Sequence, residues 1–214
     1  MEQCTAPSPV KGRPREFDTD VALTAALRVF WRNGYESASM AELTAEMGIT
    51  KPSLYAAFGN KEALFHKALD LYEREKLAYT VAALEAPTAR GVAERFLQGA
   101  LQIHLNTGDP KGCMGVISTV TCCGSEAESI KADLTTRRAS SEAALIARFE
   151  RAQAEGELPE GLTPFALTRF LYALLQGMSV QSSSGASCVE LRQLVETTML
   201  VWPTRQINKI PGGT

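Results

Sequence analysis

The sequence has little of what catalytic and metal-binding sites need. Its 214 residues include only two histidines, His66 and His104, and neither lies in an H-E-x-x-H or C-x-x-C pattern that would indicate a zinc site. There is no glycine-rich phosphate-binding loop, and no G-x-S-x-G segment that would present a nucleophilic serine. We therefore predict that the protein is not an enzyme and that it binds no metal or cofactor.

Long apolar stretches are also missing. No segment approaches the ~20 apolar residues that a transmembrane helix needs, and residues 1–16 lack the apolar region of a secretory signal, so we expect a cytoplasmic protein. The cysteines are odd in number, which does not suit a set of paired disulfide bonds in a chain without an export signal. They are Cys4, Cys113, Cys122, Cys123 and Cys188.

The chain has no overall excess of positive charge. Its formal net charge is −2 and its pI is about 5.8, so it could bind a nucleic acid only where positive charge is placed locally. One such place is the proline-rich start of the chain, residues 1–16, which we expect to be a flexible basic arm. Arg13 and Arg15 there could enter a minor groove or lie along phosphates. The alternative for this segment is an ordinary solvated tail.

Residues 39–61 carry the strongest local pattern in the chain. Ser39 begins the S-x-x-E pattern of a helix N-terminus, and Gly48 can end that helix in a left-handed conformation. Thr50 can cap a second short helix over 51–58. Two short helices joined by a turn of this length that contains glycine form a helix-turn-helix, and in DNA-binding proteins its second helix enters the major groove.

The surroundings of this helix-turn-helix contain a recognisable set of residues. They are Phe30, Gly34 and Tyr35, Ser39, Leu43, the turn Gly48–Lys51, Leu54 and Tyr55, Phe58, Lys61 and Glu62, and Leu64 and Phe65. With this set, the segment resembles the DNA-binding domain of TetR/AcrR-family bacterial repressors. The resemblance extends without a break over roughly residues 15–75.

The resemblance implies an all-α fold, with an N-terminal helix-turn-helix domain of three helices followed by a helical bundle for ligand binding and dimerisation. It implies a repressor that binds a palindromic DNA operator as a homodimer and is released by a small-molecule inducer. By the same resemblance, the reading surface consists of Thr50, Lys51, Pro52, Ser53 and Tyr55, and the phosphate contacts come from Ser39, Tyr55 and Lys61. Lysine can donate to guanine O6 and N7, which makes Lys51 the strongest base-reading candidate.

Helical spacing of apolar residues continues through the rest of the chain, and no alternating pattern predicts a strand. Asp18 can cap a helix that runs to Arg32, and Asn60 can cap a long helix toward Ala83. Further helices are predicted over 88–106, 113–123, 126–155, 164–181 and 187–202. The predicted units are the arm (1–16), the helix-turn-helix domain (17–62), a linker helix (63–86), a regulatory and dimerisation domain (87–204) and a tail (205–214).

The last two predicted helices carry more apolar residues than one core needs, which predicts a partner surface and hence a homodimer. The residues in question include Phe165, Phe170, Val189 and Met199. We also expect a site for a hydrophobic or amphipathic inducer inside the bundle. Its candidate lining residues are Phe96, His104, Cys113, Met114, Ile117, Phe149, Tyr172 and Gln176. Coupling to the DNA-reading helix should run through the long helix that begins after Asn60.

Cys113 stands at the start of a predicted helix, where the helix dipole favours a thiolate. Some TetR-like repressors carry a Gly-Cys pair at this point, and in some of them the cysteine senses electrophiles or oxidants. An inert buried thiol is the other interpretation. A helical sensor of small molecules or thiol-reactive compounds that does not bind DNA is the alternative for the whole chain. The presence of Lys51, Tyr55 and Lys61 argues against that alternative.

Overall fold

The computed structural model describes residues 17–121, 124 and 127–203, and the predicted arm and tail lie outside these residues. Ten α-helices follow one another in the described part, which contains no strand, so the predicted all-α fold is confirmed. None of these helices is both long and apolar enough to cross a membrane. The helices are α1 (Thr19–Ser37), α2 (Met40–Met47), α3 (Lys51–Phe58), α4 (Lys61–Lys76), α5 (Ala78–Leu84), α6 (Ala89–Leu105), α7 (Met114–Thr121), α8 (Glu128–Ala154), α9 (Pro164–Ser183) and α10 (Cys188–Leu200).

Side chains cap the N-termini of α2, α3 and α4 as the sequence predicts. Ser39 Oγ and Asn60 Oδ1 accept hydrogen bonds from the backbone N–H three residues further on, at 3.1 and 2.7 Å. Thr50 Oγ1 does the same at 3.3 Å. At the other end of α2, Gly48 has a φ of 66°, the left-handed conformation that glycine adopts at low cost. These caps fix the turn between α2 and α3.

Only half of the predicted capping box at Ser39 is present. Ser39 Oγ accepts from the backbone N–H of Glu42, but the Glu42 carboxylate is turned toward α1 instead of back to Ser39. Its Oε1 accepts a hydrogen bond from Asn33 Nδ2 at 2.8 Å. Glu42 therefore links α2 to α1, a contact between helices that the local pattern could not reveal.

The long helix predicted from Asn60 toward Ala83 is interrupted at Leu77. α4 ends just before this residue and α5 begins just after it. The carbonyl oxygen of Leu77 accepts hydrogen bonds from both the backbone N–H and the hydroxyl of Thr80, at 2.9 and 2.7 Å. A threonine hydroxyl that competes for a backbone carbonyl in this way favours a tight turn over a continuous helix. The linker is thus two helices with a bend between them.

α1 and α7 pack very closely, and Gly34 makes this packing possible. The sequence predicts that α1 ends at Arg32, but the helix extends to Ser37 across a non-helical residue, Gly34, with φ 75° and ψ 179°. Residues other than glycine rarely adopt this backbone conformation. A Cβ atom at Gly34 would also collide with Thr121 Oγ1 at the end of α7. Glycine is therefore required here for two independent reasons.

Hydrogen bonds fix the segment that leads into α7. Nε1 of Trp31, which is fully buried, donates to the carbonyl oxygen of Gly112 at 3.0 Å. One residue further on, the backbone N–H of Cys113 donates to Ser179 Oγ in α9 at 2.7 Å. The start of α7 is therefore held between α1 on one side and the helical bundle on the other.

The buried apolar side chains form two clusters. The first cluster joins α1, α2, α3 and α4, and it also includes Met114 from α7 with Ile130 and Leu134 from the start of α8. The second cluster joins α5, α6, α9 and α10 with the remainder of α8. Parts of the predicted regulatory domain therefore belong to the same core as the helix-turn-helix.

The apolar residues assigned to a dimer surface do not all lie on the surface. Phe165, Phe170 and Val189 are exposed. Met199 is buried in the second cluster, with 7% of its surface exposed, so it contributes to the core of its own subunit. Helical spacing alone cannot distinguish an inward-facing methionine from an outward-facing one when both flank the same apolar stripe.

The hydrogen bond from Trp31 to Gly112 predicts a difference between the two tryptophans of the chain. Trp31→Phe removes a buried donor and leaves a carbonyl oxygen unsatisfied, which costs ~1–3 kcal/mol beyond the lost packing. Trp202 is buried too, but its Nε1 has no hydrogen-bond partner among the described residues, so Trp202→Phe loses packing alone. Urea titrations at one protein concentration should therefore give the lower free energy of unfolding for Trp31→Phe. Equal values would contradict this account of the α1–α7 contact.

Candidate nucleic-acid interface and ligand cavity

The outer side of α3 presents two of the residues predicted to read DNA. Leu54 and Phe58 hold the helix against the first core and are 0% and 6% exposed. Lys51 and Tyr55 lie on the outer side, with Tyr55 46% exposed. The Lys51 Nζ lies 5.9 Å from the centroid of the Tyr55 ring, as expected for residues four apart on a helix. This side of α3 therefore offers a cation and a phenol next to each other.

Thr50, Pro52 and Ser53 form the start of α3. Thr50 Oγ1 accepts from the Ser53 N–H and lies 2.9 Å from Ser53 Oγ. Pro52 occupies the first turn, where its missing N–H costs nothing. Thr50 and Pro52 are exposed and Ser53 is half-buried. The three residues fix the N-terminal end of α3, and their contact with DNA stays a prediction.

Ser39 and Lys61 stand at the N-termini of α2 and α4. Ser39 is exposed, whereas Lys61 is half-buried and already has partners. The Lys61 Nζ donates to the carbonyl oxygen of Glu36 at 3.2 Å and lies 4.7 Å from the centroid of the Tyr35 ring. A cation there also suits the C-terminal end of α1. Lys61 therefore has an internal role that its sequence context did not indicate, and its phosphate contact stays a prediction. Arg13 and Arg15 lie outside the described residues.

A cavity of about 950 Å³ lies where helices α4 to α9 meet. Its volume is within the range of sites for small molecules and cofactors, which are usually concave and mostly apolar. The part of the predicted lining that lies on its wall is Phe96, His104, Cys113, Tyr172 and Gln176. These residues come from two helices, α6 and α9, and from the residue before α7, so only the fold brings them together.

Three residues of the predicted lining lie elsewhere. Met114 is buried in the first core and Ile117 packs against it, whereas Phe149 belongs to the second core. Met114 and Ile117 share one face of α7 because they are three positions apart, and that face is turned toward α1. Cys113 and Val116 are on the cavity wall. The sequence predicts that α7 has an apolar face, but it does not say which neighbour that face meets.

Two tyrosines on the wall were not assigned to the cavity from the sequence. Tyr72 of α4 and Tyr79 of α5 both line it. Burial raises the pKa of both phenols above the ordinary value, so they remain uncharged. The Tyr72 hydroxyl is buried without a hydrogen bond of ordinary geometry, although the Cys113 thiol and the Met114 N–H lie beside it. A tyrosine inside an apolar helical stripe can indicate a ligand site. A buried hydroxyl normally has a hydrogen-bond partner, and a bound ligand can supply it.

His104 is an uncharged member of the wall at neutral pH. Its side chain is buried, and burial together with the positive charge of Lys111 lowers the pKa of the imidazole to about 4. The Lys111 ammonium is held close because its Nζ donates to the carbonyl oxygen of His104 at 2.9 Å. The histidine therefore offers the cavity a polar but neutral ring.

Arg137 connects α8 to α4 beside the cavity. Its Nη1 donates to Asp70 at 2.8 Å and to Glu73 at 2.7 Å, and its Nε donates to Asp133 at 3.0 Å. Burial opposes the charge, but the hydrogen bonds to Asp70 and Glu73 outweigh it and raise the pKa of the guanidinium. The spacing of four between Asp133 and Arg137 is visible in the sequence. The partners on α4 are distant in the sequence and could not be predicted.

Comparison with known proteins gives consistent matches over nearly the whole chain. Residues 22–68 match the family described as bacterial regulatory proteins, tetR family. The chain is 34% identical over 203 residues to the HTH-type transcriptional repressor ComR of Escherichia coli (strain K12), covering 94% of this chain and 95% of ComR. It is 29% identical over 186 residues to the HTH-type transcriptional repressor BdcR of the same strain, covering 86% of this chain and 88% of BdcR.

A solved structure extends this similarity to the fold. A cysteine-substituted variant of the TetR family transcriptional regulator CifR, in complex with 26-bp double-stranded operator DNA, has a TM-score of 0.82 and 37% identity to this chain. The match covers 90% of this chain and 100% of the CifR chain. The similarity therefore includes both the helix-turn-helix and the helical bundle that encloses the cavity. The chain belongs to the TetR family of bacterial regulatory proteins and is a DNA-binding transcriptional repressor.

Proposed function

We propose that this repressor binds a palindromic operator as a homodimer and is released when a small-molecule inducer occupies the cavity. The observation that supports the proposal is the position of α7. One side of this helix lines the cavity, and another side packs against α1 of the helix-turn-helix. CifR, 37% identical to this chain, supports the DNA part because that protein was solved with operator DNA. The proposal keeps the predicted division into a helix-turn-helix domain (17–62), a linker (63–86) and a regulatory and dimerisation domain (87–204).

Lys51 and Tyr55 are the central contacts of the proposed DNA interface. Lys51 would donate to guanine O6 and N7 in the major groove, and the Tyr55 hydroxyl would reach a phosphate. Both side chains are exposed, and Lys51 makes no ion pair with the described residues, so its charge is open to a partner. The further proposed contacts are Arg13, Arg15, Ser39, Thr50, Pro52, Ser53 and Lys61.

The DNA interface can be tested with Lys51→Ala and Tyr55→Ala, singly and together. Each substitution should weaken binding by ~1–3 kcal/mol, because each removes a contact without removing buried core surface. The measurement is fluorescence anisotropy with an operator selected from a random DNA pool, and circular dichroism checks the fold. Lys131→Ala, at an exposed lysine on α8, is the matched control and should keep the wild-type affinity. If the folded double variant bound with full affinity, α3 would not be the reading helix.

The outer faces of α9 and α10 are the proposed dimer surface. Four large apolar side chains on these helices are more than half exposed: Phe165, Val180, Val189 and Leu200. A patch of exposed apolar side chains on adjacent helices usually marks an interaction surface. A two-fold dimer would bury the same patch from both subunits. It would also separate the two α3 helices by a whole number of DNA turns, ~34 Å each.

The dimer surface can be tested with the double variant Val180→Asp, Leu200→Asp. Two carboxylates in an apolar interface should raise the dimer dissociation constant by at least about tenfold, because they lose water without gaining partners. Sedimentation velocity over a dilution series, without DNA, measures this constant. Val21→Asp is the control, since Val21 is 66% exposed, between the values of Val180 and Leu200, but lies on α1. A wild-type protein that sedimented as a monomer at micromolar concentration would remove the dimer from the proposal.

We propose that the effect of inducer binding is transmitted to α3 through α7 and α1 as well as through α4. The sequence pointed to the helix after Asn60 as the sole connection, but that helix is interrupted at Leu77. Two contacts favour the additional route: the close approach of Gly34 to Thr121, and the hydrogen bond from Trp31 to the segment before α7. An inducer can act through these contacts only if it binds one arrangement of the helices better than the other.

A further inference from the structure

We infer that the cavity accepts an uncharged, largely apolar small molecule and rejects anions and cations of similar size. The inference rests on the proposed function in one respect, namely that the bound molecule is the inducer. The preference for an uncharged ligand is a property of the cavity wall and can be measured without DNA.

The first observation is that the charges on the wall are already paired. Four charged side chains line the cavity, and each has a partner of opposite charge at 3.9 Å or less. The pairs are Glu73 with Arg137, Arg74 with Glu75, and Arg138 with Glu142. Arg137 is further held by Asp70 and Asp133. A charged ligand would therefore lose its water shell and meet wall charges that already have partners, which is unfavourable.

The second observation is that the other polar groups on the wall are neutral. Tyr72, Tyr79 and Tyr172 keep their protons at neutral pH, because the ordinary pKa of a phenol is about 10 and burial raises the pKa of each further. The imidazole of His104 has lost its proton at pH 7, since its pKa is about 4. These groups can donate or accept hydrogen bonds, but they contribute no net charge to the cavity.

The third observation concerns which polar groups are open to a ligand. The Tyr172 hydroxyl is already used, because it donates to Ser141 Oγ at 2.6 Å. The side-chain amide of Gln176, one helical turn further along α9, lines the cavity and makes no hydrogen bond with the described residues. Gln176 can therefore orient a ligand that carries one carbonyl or hydroxyl group.

The remainder of the wall is mostly apolar. It includes Leu69, Leu77, Phe96, Ile103, Leu134 and Leu175, from four helices and the bend between α4 and α5. A ligand gains affinity in such a cavity because its apolar surface is removed from water, and a few polar groups on the wall set the orientation of the ligand. With a volume of about 950 Å³, the cavity has room for an extended alkyl or aromatic molecule.

The test uses three probes that share one chain and differ in charge: decanol, decanoate and decylammonium. Each displaces the uncharged dye N-phenylnaphthylamine from the full-length protein near neutral pH, and the dye fluorescence gives the affinity. Decanol should bind at least about tenfold more tightly than either ion, since a buried unpaired charge costs more than one power of ten in affinity. Equal or tighter binding of decanoate or decylammonium would overturn the inference.

Gln176→Glu separates this preference from general hydrophobicity. The substitution places an acidic group of the same size in the cavity, so decylammonium should gain about tenfold in affinity or more while decanoate loses affinity. Gln98→Glu is the matched control, because Gln98 is exposed on α6 and does not line the cavity; it should bind all three probes as wild type does. If both variants responded alike, the probes would not be in the cavity and the inference would fail.

Two further measurements keep the outcome unambiguous. Circular dichroism checks that Gln176→Glu is folded, and Thr119→Glu, at an exposed position on the cavity wall, replaces it if it is not. Operator affinity is then measured with and without decanol. Suppose that decanol binds more tightly than both ions but leaves the operator affinity unchanged. This result would support the charge preference of the cavity, and it would show that decanol does not release the protein from its operator.

Discussion

The packing of α7 against α1 is the contact on which the rest of the structure depends. It requires Gly34, because any side chain there would collide with Thr121 and strain the backbone. The same contact buries Trp31, whose indole N–H satisfies the carbonyl of Gly112. Once α7 is in this position, Met114 completes the core of the helix-turn-helix. The helix-turn-helix therefore shares part of its core with the helix that also forms the cavity wall.

This arrangement gives the proposed inducer a structural connection to the helix-turn-helix. A ligand in the cavity would touch α7 on one side and α4 on another, and both helices meet α1. The side chain of Arg137 adds a second connection, because it joins α8 to Asp70 and Glu73 of α4. Packed helices change between discrete arrangements rather than deforming continuously.

Local features of the fold could be predicted from the sequence, and contacts between distant residues could not. The caps at Ser39, Thr50 and Asn60 and the left-handed Gly48 depend on residues within four positions, so their patterns were sufficient. The hydrogen bond from Trp31 to Gly112 joins residues 81 positions apart, and no pattern in the sequence indicates it.

The same limit applies to the candidate site. The sequence predicted a helix over 113–123, but the packing of α7 between α1 and the cavity decided that Cys113 lines the cavity while Ile117 does not. Lys61 had the right position for a phosphate contact, yet its bond to the Glu36 carbonyl arises only from the packing of α4 against α1. The resemblance to a known family pointed to α3 as the reading helix, but it did not indicate which charges on the cavity wall are paired.

Coupling between the cavity and the proposed DNA-reading helix can be tested through its reciprocity. If a ligand in the cavity weakens operator binding by some factor, the operator must weaken ligand binding by the same factor. The measurement is the dissociation constant of N-phenylnaphthylamine with and without saturating operator DNA, together with the operator affinity with and without the dye. If the two sites are coupled, operator DNA raises the dissociation constant of the dye, and the two factors agree. The same dissociation constant in both conditions would contradict it.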